Sequence, residues 1–191
     1  DKEFFTIKEA KDYFSIKGIG KSPSRFDMIK LKNLNNYYFK EKTSKELYAL
    51  LSGKYNKFDY QKVLKFINVF KKRANTIEEI ELGLDYTLNE NLTVYTNEAQ
   101  EIISKSDFDL LKKIIFNLED LDNWTVYSLE EKIKFLIVDN SVKPFNVLAP
   151  LRAALTGQKH SPSVYIIFEI LGKKVSLYRL KKVFLNTYKF V

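Results

Sequence analysis

The sequence has no cysteine among its 191 residues, and only one histidine, one tryptophan and one methionine. Without cysteine there are no disulfides, iron–sulfur clusters or thiolate zinc sites. With His160 as the sole imidazole, metal cages and Ser-His or Cys-His nucleophile systems have at most one candidate residue. No uninterrupted apolar run approaches the roughly 20 residues that a membrane helix needs, so a membrane-spanning protein is not expected. The first residues, Asp1-Lys2-Glu3-Phe4-Phe5, lack the basic-then-apolar pattern of a secretory signal. A metal-free, cytoplasmic protein is the expectation. What is present has the balance of a folded chain, 45% hydrophobic and 29% charged, long enough for one ordinary domain or two small ones.

The net charge of +8 is unevenly spread. Residues 1–75 carry 18 Lys+Arg against 8 Asp+Glu, residues 76–140 carry 5 against 15, and residues 141–191 carry 9 against 1. Two basic ends around an acidic middle would steer a polyanion such as nucleic acid to some faces and keep it off others, provided the ends meet in the fold. Lysines that merely keep helical surfaces solvated would give the same totals.

The punctuation predicts one helix after another. Thr6 caps a short helix through Phe14, and Ser15 to Pro23 is too rich in glycine and proline to be anything but a loop. Asp27 opens a helix with Met28, Leu31, Leu34, Asn35 and Tyr38 on one face. Thr43 with Glu46, Thr76 with Glu79, and Ser128 with Glu131 have capping-box spacing. They predict helices to about Leu51, from Thr76 to about Leu82, and from Ser128 onward. Asp59 starts a helix with Val63, Phe66, Ile67 and Phe70 inward, ending near Arg73. Asp85 to Thr93 reads as a connection, and a subdomain boundary is expected there. Thr96 or Asn97, then Ser106 or Asp107, start two more helices. Pro144 opens a helix that ends at Gly157, Pro162 opens one that ends at Gly172, and a last helix carries Val175 to Phe184. The fold expected is all-α, two consecutive helical subdomains with no β-sheet.

Few constellations suggest chemistry. Gly20-Lys21-Ser22 has the ending of a phosphate loop, but position 15 is Ser15 where that motif needs glycine, and Pro23 removes an N–H donor. His160 has no acid to orient it as a base, since Glu169 is the sole carboxylate of the last 51 residues. A polar loop role or a ligand contact suits it better. Glu119, Asp120 and Asp122 border a turn and read as solvated surface, and Trp124 as a core plug. The richest stretch is Leu151-Arg152-Ala153-Ala154-Leu155-Thr156-Gly157, followed by Lys159, His160, Ser161 and Pro162. Two helices meet there at a tight turn. Ser161 can cap the second and Lys159 stands beside it, which suits either a phosphate or base edge or an ordinary, well-capped αα-hairpin.

The string LRAALTG, then Ser161-Pro162, then Glu169-Ile170-Leu171-Gly172-Lys173-Lys174 and Tyr178-Arg179-Leu180, resembles the C-terminal end of bacterial glutamyl-tRNA synthetases. Upstream, Phe14-Ser15, Lys21-Ser22-Pro23, Phe26-Asp27, Lys30-Leu31, Leu34-Asn35 and Tyr37 are similar to the family's segment after its catalytic signature loop. The likeness is collinear from about Ala10 to Phe184. It implies the anticodon-binding region of a glutamate–tRNA ligase, a class I aminoacyl-tRNA synthetase. The HIGH-like and KMSK-like sequences of the ATP-binding catalytic domain are absent, so ATP and magnesium are expected to belong to that domain and no cofactor to this chain. Residues 1–20 would be a remnant of the stem-contact region, residues 21–90 the first helical subdomain and residues 91–191 the second. The chain alone should not charge tRNA but should bind it, as a monomer and away from membranes.

Carried over by position, the resemblance implies that Arg73 is the arginine that meets the third anticodon base. Ser161, Pro162 and Val164 stand where relatives often carry threonine, proline and leucine that touch the other anticodon bases. Arg152, Lys159 and His160 are implied near them, and Lys21, Arg25, Lys71 and Lys72 are candidates for the tRNA backbone. Arg152 could equally pair inside the helical bundle. An arginine at position 73 fits a discriminating enzyme, and a non-discriminating one that takes both glutamate and glutamine tRNAs is the alternative. A helical protein-interaction module is the alternative from outside the class.

Overall fold

A computed structural model describes residues 4–20, 25–92 and 94–185. Among them the chain forms ten α-helices, two short 3-10 turns and no strand. In order these are α1 (Ile7–Tyr13), α2 (Met28–Glu41), α3 (Ser44–Tyr48), α4 (Tyr60–Phe70), α5 (Ile77–Leu88), α6 (Asn97–Ser104), α7 (Phe108–Glu119), α8 (Val126–Asp139), α9 (Pro144–Thr156) and α10 (Val164–Phe184). The all-α expectation holds.

Local signals place most helix starts. Thr6 and Thr43 each accept from the N–H three residues on, while Glu9 and Glu46 accept from the cap N–H, completing both capping boxes. Asp27, Asp59 and Asp107 supply single-residue caps to α2, α4 and α7. Each such cap is worth about 1 kcal/mol because it satisfies a backbone donor that the helix cannot.

Helix boundaries differ from expectation at α5, α8 and α10, at the first two because a distant residue intervenes. Helix α5 does not stop at Leu82 but runs to Leu88. Gly83 in its middle lies against Phe70 of α4, and a Cβ there would come within 2.7 Å of that ring. The buried Leu84, Tyr86 and Leu88 beyond it stabilise the helix against the cost of the glycine. The Thr76 box is only half made, since Glu79 Oε2 accepts from the Asn75 N–H instead. Helix α8 starts at Val126, not after Ser128. Thr125 is its cap and accepts from the Ser128 N–H, while Glu169 of α10 accepts from the Val126 N–H at 2.9 Å. Helix α10 begins at Val164, two residues past Pro162, and bends at Gly172, whose φ of 75° only glycine adopts readily.

The core is continuous. Helix α4 packs on α3 and α5, α9 packs on α6 and α10, and α10 also rests on α7, α8 and α5. The inward residues read for α4, Val63, Phe66, Ile67 and Phe70, are all buried. Trp124 packs half-buried against the core, its Nε1 donating to the Phe168 carbonyl at 2.8 Å. By contrast α1 and α2 bury no residue: Met28 is 55% exposed and Ile29 74%. The apolar face read for α2 is uncovered. Helix α2 is held by the half-buried Phe39 against the core and by polar contacts, Asn36 Nδ2 donating to the Ala74 carbonyl and Lys71 Nζ to the Lys42 carbonyl, each at 2.8 Å. No helix among the described residues is long and apolar enough to cross a membrane.

Candidate nucleic-acid interface

The turn between α9 and α10 is built from its own backbone outward. Helix α9 ends on Gly157 in the left-handed region at φ 69°, with the Gly157 N–H donating to Ala153. Only glycine fits, because a Cβ would sit 2.2 Å from the Val94 carbonyl oxygen. Val94 is held close because the Thr96 N–H donates to the Gly157 carbonyl at 2.9 Å. The buried Thr156 hydroxyl donates to the Arg152 carbonyl and accepts from the Gln158 N–H. The chain then turns through Lys159, His160, Ser161 and Pro162 with little freedom left to it.

This turn forms one wall of a cleft of about 460 Å³. The opposite wall comes from the end of α4 and from α5: Arg73 at the rim, Leu82 and Gly83 along the side, and Tyr86 against Phe70. Arg73 and Ser161, 88 positions apart in sequence, face each other, with Arg73 Nη1 donating to the Ser161 carbonyl at 3.5 Å. That contact is long and weak, so the guanidinium keeps most of its donor capacity. Burial, and then the neighbouring Arg73 charge, push Arg152 below the usual arginine value. Its Nε is buried without a hydrogen-bond acceptor. Two guanidiniums thus lie near one another, Arg73 lining the cleft and Arg152 outside its lining, and among the described residues neither pairs with a carboxylate, although Glu79 and Glu98 line the same cleft. The reading of Arg152 as a partner in an internal ion pair has no support in this arrangement.

The remaining candidates divide. Lys159, His160, Ser161 and Pro162 line the cleft with Arg73. Val164 does not: it is 1% exposed and faces the core behind the turn, so it cannot present an apolar surface to a ligand. Ser161 does not cap α10, because its hydroxyl donates to the Pro162 carbonyl and Ser163 occupies the cap position without a side-chain bond. Lys71 is engaged at the C-terminal end of α2, where its ammonium donates to the Lys40 and Lys42 carbonyls. Lys72 and Arg25 are exposed, Arg25 lying apart from the cleft beside Phe5 and Lys30. Lys21 lies outside the described residues, as does the Lys21-Ser22-Pro23 part of the glycine-rich loop.

Sequence reasoning missed Glu98. It lies in the first turn of α6, 61 positions before Lys159, and pairs with that ammonium at 3.2 Å in the cleft lining. On the far side of this pair, between α6, α7 and α9, lies a second cavity of similar volume. It also missed Tyr86, whose phenol burial pushes well above its usual value, and Leu82. Both belong to the half of α5 around and beyond the point where the helix was expected to end. Among the described residues no group of three His, Asp or Glu side chains is arranged to hold a metal ion.

Fold and cleft together define a helical domain in which Arg73, paired with no carboxylate among the described residues, faces a polar turn across one recess, with the Arg152 charge near it. Comparison with known proteins places it. Residues 30–184 match the family described as the anticodon binding domain, and the chain belongs to that family. It is 30% identical over 203 residues to glutamate–tRNA ligase 2 of Rickettsia prowazekii (strain Madrid E), covering 100% of this chain and 42% of that protein. It is 36% identical over 185 residues to glutamate–tRNA ligase 2 of Neorickettsia sennetsu (strain ATCC VR-367 / Miyayama), covering 95% and 42%. The chain thus spans about two fifths of the length of these curated relatives. The crystal structure of a glutamate tRNA ligase from Elizabethkingia meningosepticum superposes with a TM-score of 0.73 at 22% identity, over 96% of this chain and 37% of that one.

Proposed function

We propose that this chain is the anticodon-reading part of a glutamate–tRNA ligase and that the cleft between α5 and the α9–α10 turn receives bases of the anticodon loop. The observation that carries the reading is the placement of Arg73, which pairs with no carboxylate among the described residues, opposite the turn at Ser161. The Watson–Crick edge of C offers two acceptors, O2 and N3, to an arginine fork, whereas G presents N–H donors on the same edge. Arg73 is therefore the residue to prefer C over G at the third anticodon base, the position that separates glutamate from glutamine anticodons. Lys159 lines the same recess, Arg152 adds positive charge near Arg73, and Lys72 is exposed beside Arg73 to meet phosphate. Residues 21–90 and 91–191 act as two successive helical subdomains, with residues 1–20 leading toward the stem. Glutamate activation with ATP and magnesium belongs to the part of the relatives that this chain does not span. By itself the chain is a monomeric, cytoplasmic tRNA-binding unit that charges nothing.

The test is titration with glutamate and glutamine tRNAs at low and moderate salt, for the wild type and Arg73→Ala. Binding should weaken steeply with salt as phosphate contacts release counterions. Arg73→Ala should lower the preference for the glutamate tRNA by roughly tenfold, the size of one specific base contact, with a smaller loss of overall affinity. Equal losses on both tRNAs would make Arg73 a phosphate contact, and equal wild-type binding to both would point to a non-discriminating enzyme. A second reading, a module that binds protein, is favoured by the uncovered apolar residues of α1 and α2, such as Ile7 and Ile29. It predicts no salt-sensitive affinity for either tRNA.

A further inference from the structure

Arg179 is not part of the cleft, yet it is the largest fully buried side chain among the described residues, 1% exposed. It sits on α10 beyond the bend at Gly172. Its Nη1 donates to the Leu155 carbonyl and its Nη2 to the Asn89 carbonyl. The ionisable groups that face it are the Tyr95 and Tyr86 phenols, with no carboxylate among them. Burial pushes it down to about 10, so the guanidinium remains charged at neutral pH. A buried cation without an acid is costly unless other dipoles compensate.

The compensation here comes from two helix ends. Asn89 is the residue that closes α5, and Leu155 lies in the last turn of α9. Carbonyls at helix C-termini lack intrahelical donors and carry the negative end of the helix dipole. A planar fork can satisfy two such acceptors at once, which an ammonium cannot match at the same separation. The two helices so joined are the ones that form the cleft: α5 carries Leu82, Gly83 and Tyr86, and α9 leads through Gly157 into the turn with Lys159, His160 and Ser161. The same α9 end is tied further by Tyr95, whose hydroxyl donates to the Ala154 carbonyl at 3.5 Å.

We propose that Arg179 is a positioning residue: by clamping the C-terminal ends of α5 and α9 it sets the width of the cleft, and the discrimination made by Arg73 depends on it. The second half of this statement rests on the cleft being the anticodon site, while the first half does not. Two arms separate them. The chain has no cysteine, so Leu82→Cys and His160→Cys place spin labels on opposite walls of the cleft without background. Double electron–electron resonance on this full chain, without RNA, should give one narrow distance distribution in the presence of Arg179 and a broadened or shifted one with Arg179→Lys. In the RNA arm, unlabelled Arg179→Lys should lose about tenfold of the preference for C over G at the third anticodon base, as if one base contact were misplaced. Its charge is kept, so its affinity for the glutamine tRNA should stay near that of the wild type.

A stability-matched core variant on α8, Ile133→Val or Leu136→Ala, should keep both the narrow distribution and the preference. An unchanged distance distribution in Arg179→Lys overturns the clamp. A broadened one with unchanged preference, or with equal losses on both tRNAs, overturns the link to discrimination. The same distribution change in the core variant makes Arg179 merely structural and also overturns the proposal. If the wild type binds neither tRNA, the anticodon reading fails while the distance arm still judges the clamp. If Arg179→Lys does not fold, nitrogen-15 arginine spectra of the wild type decide. Separate, slowly exchanging Nη signals support a guanidinium held at two acceptors, and a freely rotating one overturns it.

Discussion

Replacing Gly157 with alanine tests the construction of the cleft wall most sharply. A left-handed residue other than glycine costs ~1–2 kcal/mol from its own backbone. The larger effect is external, because the new Cβ would meet the Val94 carbonyl oxygen at 2.2 Å, and that atom belongs to backbone that cannot rotate aside. Val94 is further constrained through the neighbouring bond from the Thr96 N–H to the Gly157 carbonyl. Relieving the contact means breaking that bond or shifting the end of α9, which adds ~1–3 kcal/mol of the kind seen on overpacking. A total of ~3 kcal/mol is expected, or a fall of roughly 6–12 °C in Tm for a chain of this size. Urea unfolding followed by circular dichroism measures it, with the slope against urea expected to match the wild type. Gly157→Asn sharpens the test. Asparagine tolerates the left-handed conformation, so it would rescue most of the stability if conformation were the whole penalty. It carries the same Cβ, so close approach predicts a loss nearly as large as for alanine. Either an alanine variant within ~1 kcal/mol of the wild type or a full asparagine rescue would refute the argument.

Other expectations follow from single contacts. Gly83→Ala should gain ~1 kcal/mol of helix propensity yet come out destabilised by about 1 kcal/mol, since its Cβ would press on the Phe70 ring and overpacking costs more; a more stable variant in urea would show that the ring yields. Glu98→Gln should change stability by less than ~1 kcal/mol because both partners are largely exposed, while freeing Lys159 strengthens tRNA binding and steepens its salt dependence; an unchanged salt slope would count against Lys159 as a phosphate contact. The Ser52 N–H and hydroxyl donate to Glu81 and hold its carboxyl below the usual carboxylate range. Its contribution to stability is present above the unfolded value of about 4.3 and is lost as pH falls through the lowered folded value. Glu81→Gln should therefore flatten the fall in stability below about pH 4.5, read from urea midpoints at stepped pH, and an unaltered acid limb would contradict the assignment.

Much of this architecture is written locally in the chain. Capping residues act on N–H groups three positions away, so Thr6, Asp27, Thr43, Asp59 and Asp107 announce their helices without knowledge of the rest. The spacing of Val63, Phe66, Ile67 and Phe70 names the buried face of α4 for the same reason, since one helix carries the whole signal. Pro144 and Gly157 bracket α9 because the first turn needs no N–H from the proline and the left-handed end favours glycine, although Pro150 also sits inside the helix. Beyond that range the local signals mislead. The Thr76–Glu79 spacing predicts a helix only to about Leu82 and Ser128 reads as a start, but Gly83 fits against Phe70 within a helix that runs on to Leu88, and Glu169 accepts from the first N–H of the helix that runs through Ser128. Val164, a contact residue by resemblance, lies in the core, while the apolar Met28 and Ile29 lie open. The cleft belongs wholly to this second category. Arg73 and Ser161, Glu98 and Lys159, and Arg179 with the ends of α5 and α9 are joined across tens of positions. Their meeting depends on how whole helices share a core, because burial rewards total apolar area rather than any neighbour in sequence.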